Sequence, residues 1–259
     1  MRILVTGHRG FIGGHAVRHF SQSHQVDTYD WHPTERPTVE NYDWVLHFGG
    51  ISSTTEKDVD KIMGMNYDFT VWLYDQCRRS GTNLQYSSSA SVYGNTDHFR
   101  EDGPVDPQSP YAWSKYLTER YIKANPSTST VAQGFRYFNV YGSDEGDKPQ
   151  PSPHTAFRRQ AESGSITLYV SDREPLRDFV PVERVIQVQE KFLSIPESGV
   201  WNIGSGETRS FRDIAQEVSL ETGVPITEKS LPNNMAAQYQ WYTCANLDHL
   251  NATLERHGQ

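Results

Sequence analysis

The stretch from Arg2 to Gly13 constrains the fold more than any other part of the chain. It opens with the apolar and β-branched run RILVT, which predicts a short buried strand, and continues through GHRGFIG into a helical stretch to about residue 20. Gly7 permits a tight turn, Gly10 lets the backbone approach a pyrophosphate, and Gly13 allows close packing of helix on strand. A strand before the glycines and a helix after them make this pattern informative. The sequence therefore predicts an α/β fold that binds a dinucleotide, with its phosphates at the helix N-terminus.

Strands and helices alternate along most of the remaining chain. Further strands are predicted at 25–29, 44–48, 84–88, 131–135, 168–170 and 200–203, helices at about 58–80 and 211–222, and an irregular segment at 223–243. Only residues 31–43 separate the second strand, which ends at Asp30, from the third, where an ordinary unit would hold another strand and helix. We therefore predict a Rossmann-like, doubly wound parallel sheet that lacks one strand–helix unit.

The alternation loosens at the proline-rich residues 149–153, which indicates a second, smaller unit. We predict a dinucleotide-binding domain of residues 1–145 plus about 176–206. Residues 146–175 and 207–259 are predicted to form a small substrate-binding lobe.

Composition excludes several classes of function. The formal charge of −8 argues against a nucleic-acid partner, and the two cysteines, far apart, suit a reducing cytoplasm. No apolar run approaches the roughly 20 residues of a membrane span, and the amino terminus reads as a strand and not as a signal peptide. His15 and His19 lack an evident third ligand, so no metal site is predicted. We expect a cytoplasmic globular protein.

The segment YAWSK places Tyr111 and Lys115 on one face of a predicted helix. A tyrosine ordinarily has a pKa of roughly 10, and a neighbouring ammonium favours the phenolate, so such a pair is a usable acid/base. The spacing alone is common on surface helices. Ser89, however, lies where a predicted strand ends, on the side where open α/β sheets bind ligands. In their order, the glycine turn, this serine and YxxxK resemble the extended short-chain dehydrogenase/reductases, which modify nucleotide sugars.

That resemblance implies a tightly bound NAD or NADP that is regenerated in each turnover. Asp30 is placed to bind the adenosine ribose and to disfavour a 2′-phosphate, whereas Arg36 is placed to neutralise one, so both cofactors stay open. The predicted cofactor-binding residues are Gly7, Gly10, Phe11, Ile12, Gly13, Asp30, Trp31, Arg36, Phe48, Gly49, Gly50, Ser52, Asn66, Lys115, Val140 and Lys148.

Six further segments are similar to the ADP-L-glycero-D-manno-heptose 6-epimerase family, in family order. They are SSTTE at 52–56, FRYFNVYG at 135–142, EGDK at 145–148, LRDFV at 176–180, WNIGSGETRSF at 201–211 and QYQ at 238–240. The resemblance implies that Tyr111 and Lys148 serve as two acid/base groups and that Ser89 binds the reacting oxygen. It also implies hydride transfer from the heptose C6″ and back to its other face. The implied substrate-binding residues are Ser53, Asn139, Arg158, Tyr169, Ser171, Arg177 and Tyr239.

Two of these positions depart from the family pattern. Arg158 stands where the family has a histidine, and the segment from Tyr169 to Ser171 replaces a loop that contains glycine. Single residues also have structural interpretations: Lys148 as a solvated lysine of a charged stretch, Arg177 as an ion-pair partner of Asp178, and Tyr239 as a lid or interface aromatic.

We predict an epimerase, most specifically of ADP-heptose at C6″. The alternatives are another nucleotide-sugar 4-epimerase, dehydratase or reductase of the same branch, or a non-catalytic cofactor-binding protein. By resemblance we also expect a homo-oligomer, at least a dimer.

Overall fold

A central sheet of six parallel strands forms the body of the protein in the computed structural model, which describes residues 1–54, 56–146, 150–232 and 240–259. Its strands are β1 (Arg2–Thr6), β2 (Gln25–Tyr29), β3 (Trp44–His47), β4 (Asn83–Ser89), β5 (Ala132–Tyr137) and β10 (Gly199–Ile203). Their order is β10-β5-β4-β3-β1-β2. The predicted Rossmann-like sheet is confirmed.

The missing unit explains why β2 lies at one edge of this sheet. Residues 30–43, all of which the structure describes, contain no helix and no strand. A compact turn takes their place: the Tyr29 hydroxyl donates to the Glu35 carbonyl at 2.9 Å, and the Glu35 N–H donates to His32 Nδ1 at 3.0 Å. The chain then returns to pair β3 with β1, so the sheet loses a strand without losing its parallel pairing.

Helices cover both faces of the sheet. They are α1 (Phe11–Phe20), α2 (Val59–Ile62), α3 (Phe69–Ser80), α4 (Pro110–Ala124), α6 (Val182–Phe192) and α8 (Asp248–Arg256). The helix predicted at 58–80 begins at the capping residue Asp58 and ends at Gly81, but residues Met63–Asp68 between α2 and α3 are π-helical. A π-helical turn widens the backbone and is common at functional sites.

A smaller unit packs at the carboxyl edge of the sheet. It contains α5 (Pro153–Glu162), α7 (Phe211–Thr222) and the strands β6 (Asn139–Tyr141), β7 (Ile166–Val170), β8 (Leu176–Arg177), β9 (Phe179–Pro181), β11 (Arg209–Ser210) and β12 (Ile226–Ser230). These short strands pair as β7 with β12, β8 with β11 and β6 with β9. The prediction of an irregular segment at 223–243 was wrong at β12, because its mostly exposed sequence ITEKS carries no apolar alternation and is held as a strand by pairing with β7.

The last helix packs on the sheet, although it lies within the range predicted for the lobe. Leu250 and Leu254 of α8 belong to one buried cluster with Trp201 of β10, and Trp201 Nε1 donates to Thr253 Oγ1 at 3.0 Å. The apolar face of this helix covers the edge strand β10. Within the described ranges, no helix has the length and apolar character needed to cross a bilayer.

Candidate active site

Three side chains meet where β4 ends and α4 begins. Ser89 is the last residue of β4, and Tyr111 lies in the first turn of α4, which Ser109 caps by accepting a hydrogen bond from the Ala112 N–H at 3.1 Å. The Ser89 hydroxyl lies close enough to the Tyr111 hydroxyl for a hydrogen bond between them to affect the Tyr111 pKa. One turn later Lys115 lies on the same face, with its Nζ 5.9 Å from the centre of the Tyr111 ring. The structure thus brings together the serine, tyrosine and lysine singled out by the sequence.

The hydrogen bond between Ser89 and Tyr111 has a defined direction. The N–H and the hydroxyl of Ser91 both donate to Ser89 Oγ, at 3.2 and 2.9 Å, so the single hydroxyl proton of Ser89 is available to the Tyr111 oxygen. Burial raises the pKa of Tyr111, whereas the bond from Ser89 lowers it. Burial also lowers the pKa of Lys115 to about 8. The net lowering of the Tyr111 pKa that we predicted from Lys115 is not found in the chain alone, because burial is the largest effect and raises that pKa.

A buried histidine lies beside Lys115 and was not predicted. Thr70 Oγ1 donates to the Asn66 carbonyl at 2.7 Å, so it must accept the 2.8 Å hydrogen bond from His47 Nε2. His47 Nδ1 then accepts from Thr6 Oγ1 at 2.6 Å. Burial, with a smaller contribution from Lys115, lowers the pKa of His47 to about 3. Its only sequence signal was a polar residue inside the apolar run WVLHF.

Asn66 joins the loop after β3 to the tyrosine helix. Its Oδ1 accepts from the Ile51 N–H at 2.6 Å, and its Nδ2 donates to the Ile51 carbonyl at 3.0 Å and to Ser114 Oγ at 3.1 Å. The π-helical turn carries this side chain, which is almost fully buried. The predicted cofactor loop, with Gly49 and Gly50, is therefore fixed relative to Tyr111.

The glycine turn is shaped to hold an anion. Gly7 has φ +77°, and a Cβ there would lie 2.4 Å from the Gly49 nitrogen; a Cβ on Gly13 would lie 2.2 Å from the Gly7 carbonyl. Both close approaches require glycine. Helix α1 begins after Gly10 with no side-chain cap and no acidic residue in its first turn, which holds Phe11 and Ile12. The N-terminus of such a helix, with the positive end of its dipole, favours phosphate oxygens.

The carboxylate of Asp30 lies beside this turn. Its Oδ2 is 3.0 Å from Arg9 Nε and 3.6 Å from His8 Nδ1, yet this buried atom makes no well-directed hydrogen bond. A buried acceptor with spare capacity fits a ribose hydroxyl. Arg36 Nη1 donates to the His32 and Glu35 carbonyls, each at 2.9 Å.

The Arg36 guanidinium also lies over the rings of Phe69 and Trp72, at 5.5 and 5.7 Å. Trp31 is 38% exposed next to Asp30. Because the turn and the carboxylate both offer what a dinucleotide needs, the residues present fit such a cofactor.

Comparison with known proteins agrees with this geometry. Residues 3–204 match the model of the NAD dependent epimerase/dehydratase family. The chain belongs to that family. Its fold is similar to that of UDP-N-acetylglucosamine 4-epimerase from Methanobrevibacter ruminantium, with 22% identity over 97% of this chain and 91% of the other and a TM-score of 0.87.

Two further solved epimerases share the fold. The UDP-glucose 4-epimerase of Thermus thermophilus in complex with NAD has 24% identity, coverage of 100% and 93%, and a TM-score of 0.80. The ADP-L-glycero-D-manno-heptose-6-epimerase of Helicobacter pylori has 24% identity, coverage of 98% and 95%, and a TM-score of 0.77. At these identities the likeness concerns the fold.

In this member of the epimerase/dehydratase family, Asn139 and Arg177 lie together beyond the sheet. Asn139 Nδ2 donates to the carbonyl of Asp178 at 3.0 Å, and Arg177 is nearly buried in the neighbouring strand β8. The carboxylate of Asp178 accepts four hydrogen bonds, from the N–H and hydroxyl of Ser205 and from two further backbone N–H groups, at 2.7 to 3.0 Å. This saturated carboxylate holds the segment that carries Arg177 against the loop after β10.

The predicted substrate residues of α5 and β7 lie further out. Arg158 pairs with Glu221 of α7 at 3.0 Å on an exposed surface, and Tyr169 is 49% exposed. Tyr169 and Ser171 line a shallow cavity of about 180 Å³, which also includes Phe211. Arg158 therefore does not lie in that cavity, because its guanidinium is paired with a neighbouring helix.

The remaining predicted residues divide into two groups. Phe48 and Val140 are half-buried and pack on the sheet, and Ser52 and Ser53 lie in the loop that Asn66 fixes. Lys148 and Tyr239 lie outside the described residues.

Proposed function

We propose that this chain is an NAD(P)-dependent nucleotide-sugar epimerase that inverts a carbinol carbon by transient oxidation. The observation that carries the proposal is the group of half-buried Ser89 with buried Tyr111 and Lys115, in a fold whose glycine turn fits a dinucleotide. A carbon that bears only a hydroxyl has no acidic proton, so its inversion needs temporary loss of hydride. The bound NAD(P) supplies the hydride acceptor and returns the hydride.

The side chains divide the proton chemistry between them. Tyr111 takes the proton of the sugar hydroxyl, and Ser89 donates a hydrogen bond to the same oxygen. Lys115 is placed to bind the nicotinamide ribose, and it brings positive charge that favours the Tyr111 phenolate. After the ketone has turned in the site, the proton is returned on the other side, a role that we assign to Lys148 by resemblance.

The most specific substrate we propose is ADP-heptose, with inversion at C6″. Its support is the order of the six family segments along the chain. Arg177 is suited to the diphosphate because its planar fork matches two phosphate oxygens. We propose that Asn139, Ser53 and Tyr239 contact the sugar or its phosphates, and that Tyr169 and Ser171 contact the nucleotide portion.

A different nucleotide sugar is the second candidate, on the observation that Arg158 pairs with Glu221 where the heptose family has a histidine. A 4-epimerase fits the same catalytic group. A 4,6-dehydratase is less suited, because Ser89 is followed by Ala90 and Ser91 and not by an acidic pair.

The test is to incubate the purified protein with ADP-D-glycero-D-manno-heptose and with a panel of UDP-sugars, with and without added NAD or NADP, and to follow the sugar by NMR. We expect one epimer to form, at a rate that Tyr111→Phe abolishes and Lys148→Met strongly reduces. Tyr116→Phe, at a half-buried tyrosine of the same helix that packs on apolar residues, is the matched control and should keep the rate. A protein that binds cofactor but converts none of the sugars would reject the proposal.

A further inference from the structure

A buried ion pair lies one turn beyond Lys115 on the tyrosine helix. Arg136 of β5 reaches Glu119 of α4 with both arms: Nε donates to Oε1 at 3.0 Å and Nη2 to Oε2 at 2.6 Å. The two side chains are 5% and 6% exposed. Glu119 follows Tyr111 and Lys115 at helical spacing, so all three lie on one face of α4.

The same pair holds the chain on both sides of Ser89. The hydroxyl of Ser88 donates to Glu119 Oε1 at 2.5 Å. On the other side, the guanidinium of Arg136 lies 4.7 Å from the ring centre of Tyr93, the last residue of the 3₁₀ turn that Ser89 caps. The ion pair therefore contacts the residue before Ser89 and the end of the turn after it.

Stability alone is a poor explanation for this arrangement. Two buried charges lose their hydration, and well-packed apolar residues of similar volume are often as stabilising. Lower in the same two strands, a neutral pair joins β4 to β5: Gln85 Nε2 donates to Gln133 Oε1 at 3.0 Å, and both residues are fully buried. What the charged pair adds is direction, because a two-armed guanidinium–carboxylate contact fixes both distance and angle.

We propose that Glu119 and Arg136 are positioning residues that set the hydrogen bond between Ser89 and Tyr111. The ion pair ties α4, which carries Tyr111, to the ends of β4 and β5, where Ser89 lies. The inference rests on the proposed function, in which Tyr111 is the acid/base group.

Arg136 stays charged while Tyr111 titrates. Burial lowers the pKa of Arg136, but its bonds to Glu119 outweigh burial and raise that pKa above its usual value. Among the described residues, Lys115 and Tyr137 are titratable groups that interact with Tyr111, and neither belongs to the pair. A change at Glu119 therefore acts on Tyr111 through position.

The test measures the ionisation of the Tyr111 hydroxyl by ¹³C NMR of protein labelled at the tyrosine Cζ. The titration runs from about pH 8 to pH 11, a range around the ordinary tyrosine pKa of roughly 10. The Tyr111 signal is identified by its loss in Tyr111→Phe. We expect Glu119→Gln to move the onset of phenolate formation upward by about one pH unit, because the bond from Ser89 is weakened. Ser89→Ala should give a similar shift, and the double variant no more than the larger single one. In turnover, we expect kcat to fall by about 10²-fold, with KM nearly unchanged.

Gln133→Met is the control, because it breaks the neutral link in the same strands. It should lower the unfolding temperature and leave unchanged the pH at which the Tyr111 phenolate begins to form. A folded Glu119→Gln chain that titrates as the unaltered one does, or an equal shift in Gln133→Met, would overturn the proposal. If Glu119→Gln does not fold, Ser88→Ala decides, since it removes one contact of the pair and leaves both charges. Absence of turnover in the unaltered chain would reject the proposed function, while the NMR comparison would still test this inference.

Discussion

Two basic side chains that interact electrostatically, His47 and Lys115, are buried in the fold, and their surroundings give them different charges. Lys115 has a pKa of about 8, so it carries a proton at neutral pH, whereas the pKa of His47 is about 3 and the ring is neutral. The two threonine hydroxyls at its ring nitrogens hold His47 in one tautomer. The lysine is therefore the cation beside the tyrosine.

This arrangement predicts a loss of stability in acid that depends on His47. An unfolded chain protonates the ring near its ordinary pKa of 6.5, whereas the folded ring resists protonation to about 3. Between these values the unfolded state binds more protons, so the free energy of unfolding falls as the pH falls, by up to about 1.4 kcal/mol per pH unit. We expect His47→Gln to reduce this slope in urea unfolding measured from neutral pH downward. The exposed His98→Gln is the control, and an unchanged slope in His47→Gln would contradict the burial of a neutral ring.

Asp30 predicts the choice of cofactor at the same scale. The carboxylate beside the glycine turn repels a 2′-phosphate and accepts from a ribose hydroxyl, and Arg36 is already bound to its own turn. We expect NAD to bind at least about 10-fold more tightly than NADP in calorimetry, a difference that Asp30→Ser narrows. Arg36→Ala should leave the ratio of the NAD and NADP affinities unchanged. A selective loss of NADP affinity in Arg36→Ala would show that Arg36, and not Asp30, governs the choice.

At the scale of elements, the π-helical turn Met63–Asp68 places one side chain between two parts of the site. Asn66 bonds both backbone groups of Ile51 and the hydroxyl of Ser114, so the cofactor loop and α4 are held by the same amide. An ordinary α-helical turn would present a different residue in this place, because the wider turn shifts the register of the helix.

Removal of the Asn66 side-chain amide should weaken cofactor binding. Asn66→Ala leaves the half-buried N–H and carbonyl of Ile51 without their partner, which costs about 2 kcal/mol. We expect the affinity for the cofactor to fall by about 10-fold, as measured by calorimetry, because the loop with Gly49 and Gly50 is no longer fixed. Asn125→Ala, which removes a bond to the Tyr121 carbonyl at the far end of α4, is the control and should leave affinity unchanged. Equal affinities in the two variants would contradict this role.

At the scale of the whole molecule, Asp178 joins the sheet to the smaller unit. Its carboxylate binds the loop after β10 and the Ala245 N–H, and its carbonyl binds Asn139. Three segments that are distant in sequence thus meet on one buried residue, next to Arg177.

Asp178→Asn is therefore expected to loosen the two units from each other. An amide puts an NH₂ group against backbone N–H donors and loses two of the four bonds, at a cost of about 3 kcal/mol in urea unfolding. We also expect weaker binding of the nucleotide sugar, with cofactor affinity retained, because Arg177 is displaced and the glycine turn is not. The exposed Asp102→Asn is the control. Loss of both affinities to the same degree would mean that the change spreads through the whole fold.

Local patterns in the sequence determined the parallel sheet, the glycine turn and the placement of Tyr111 and Lys115 on one helix face. Apolar strand runs, glycine spacing and the i, i+4 relation all depend on residues that are close in the chain. The short gap between Asp30 and Trp44 likewise predicted the missing unit. Only the tertiary structure decided the partners of buried polar groups: Arg136 with Glu119, His47 with two threonines, Arg158 with Glu221. The sequence does not distinguish a solvated polar residue from a paired one. Its partner depends on which distant strands and helices pack together in the fold. For the same reason β12 and the packing of α8 on β10 had no local signal, since both depend on contacts across the fold.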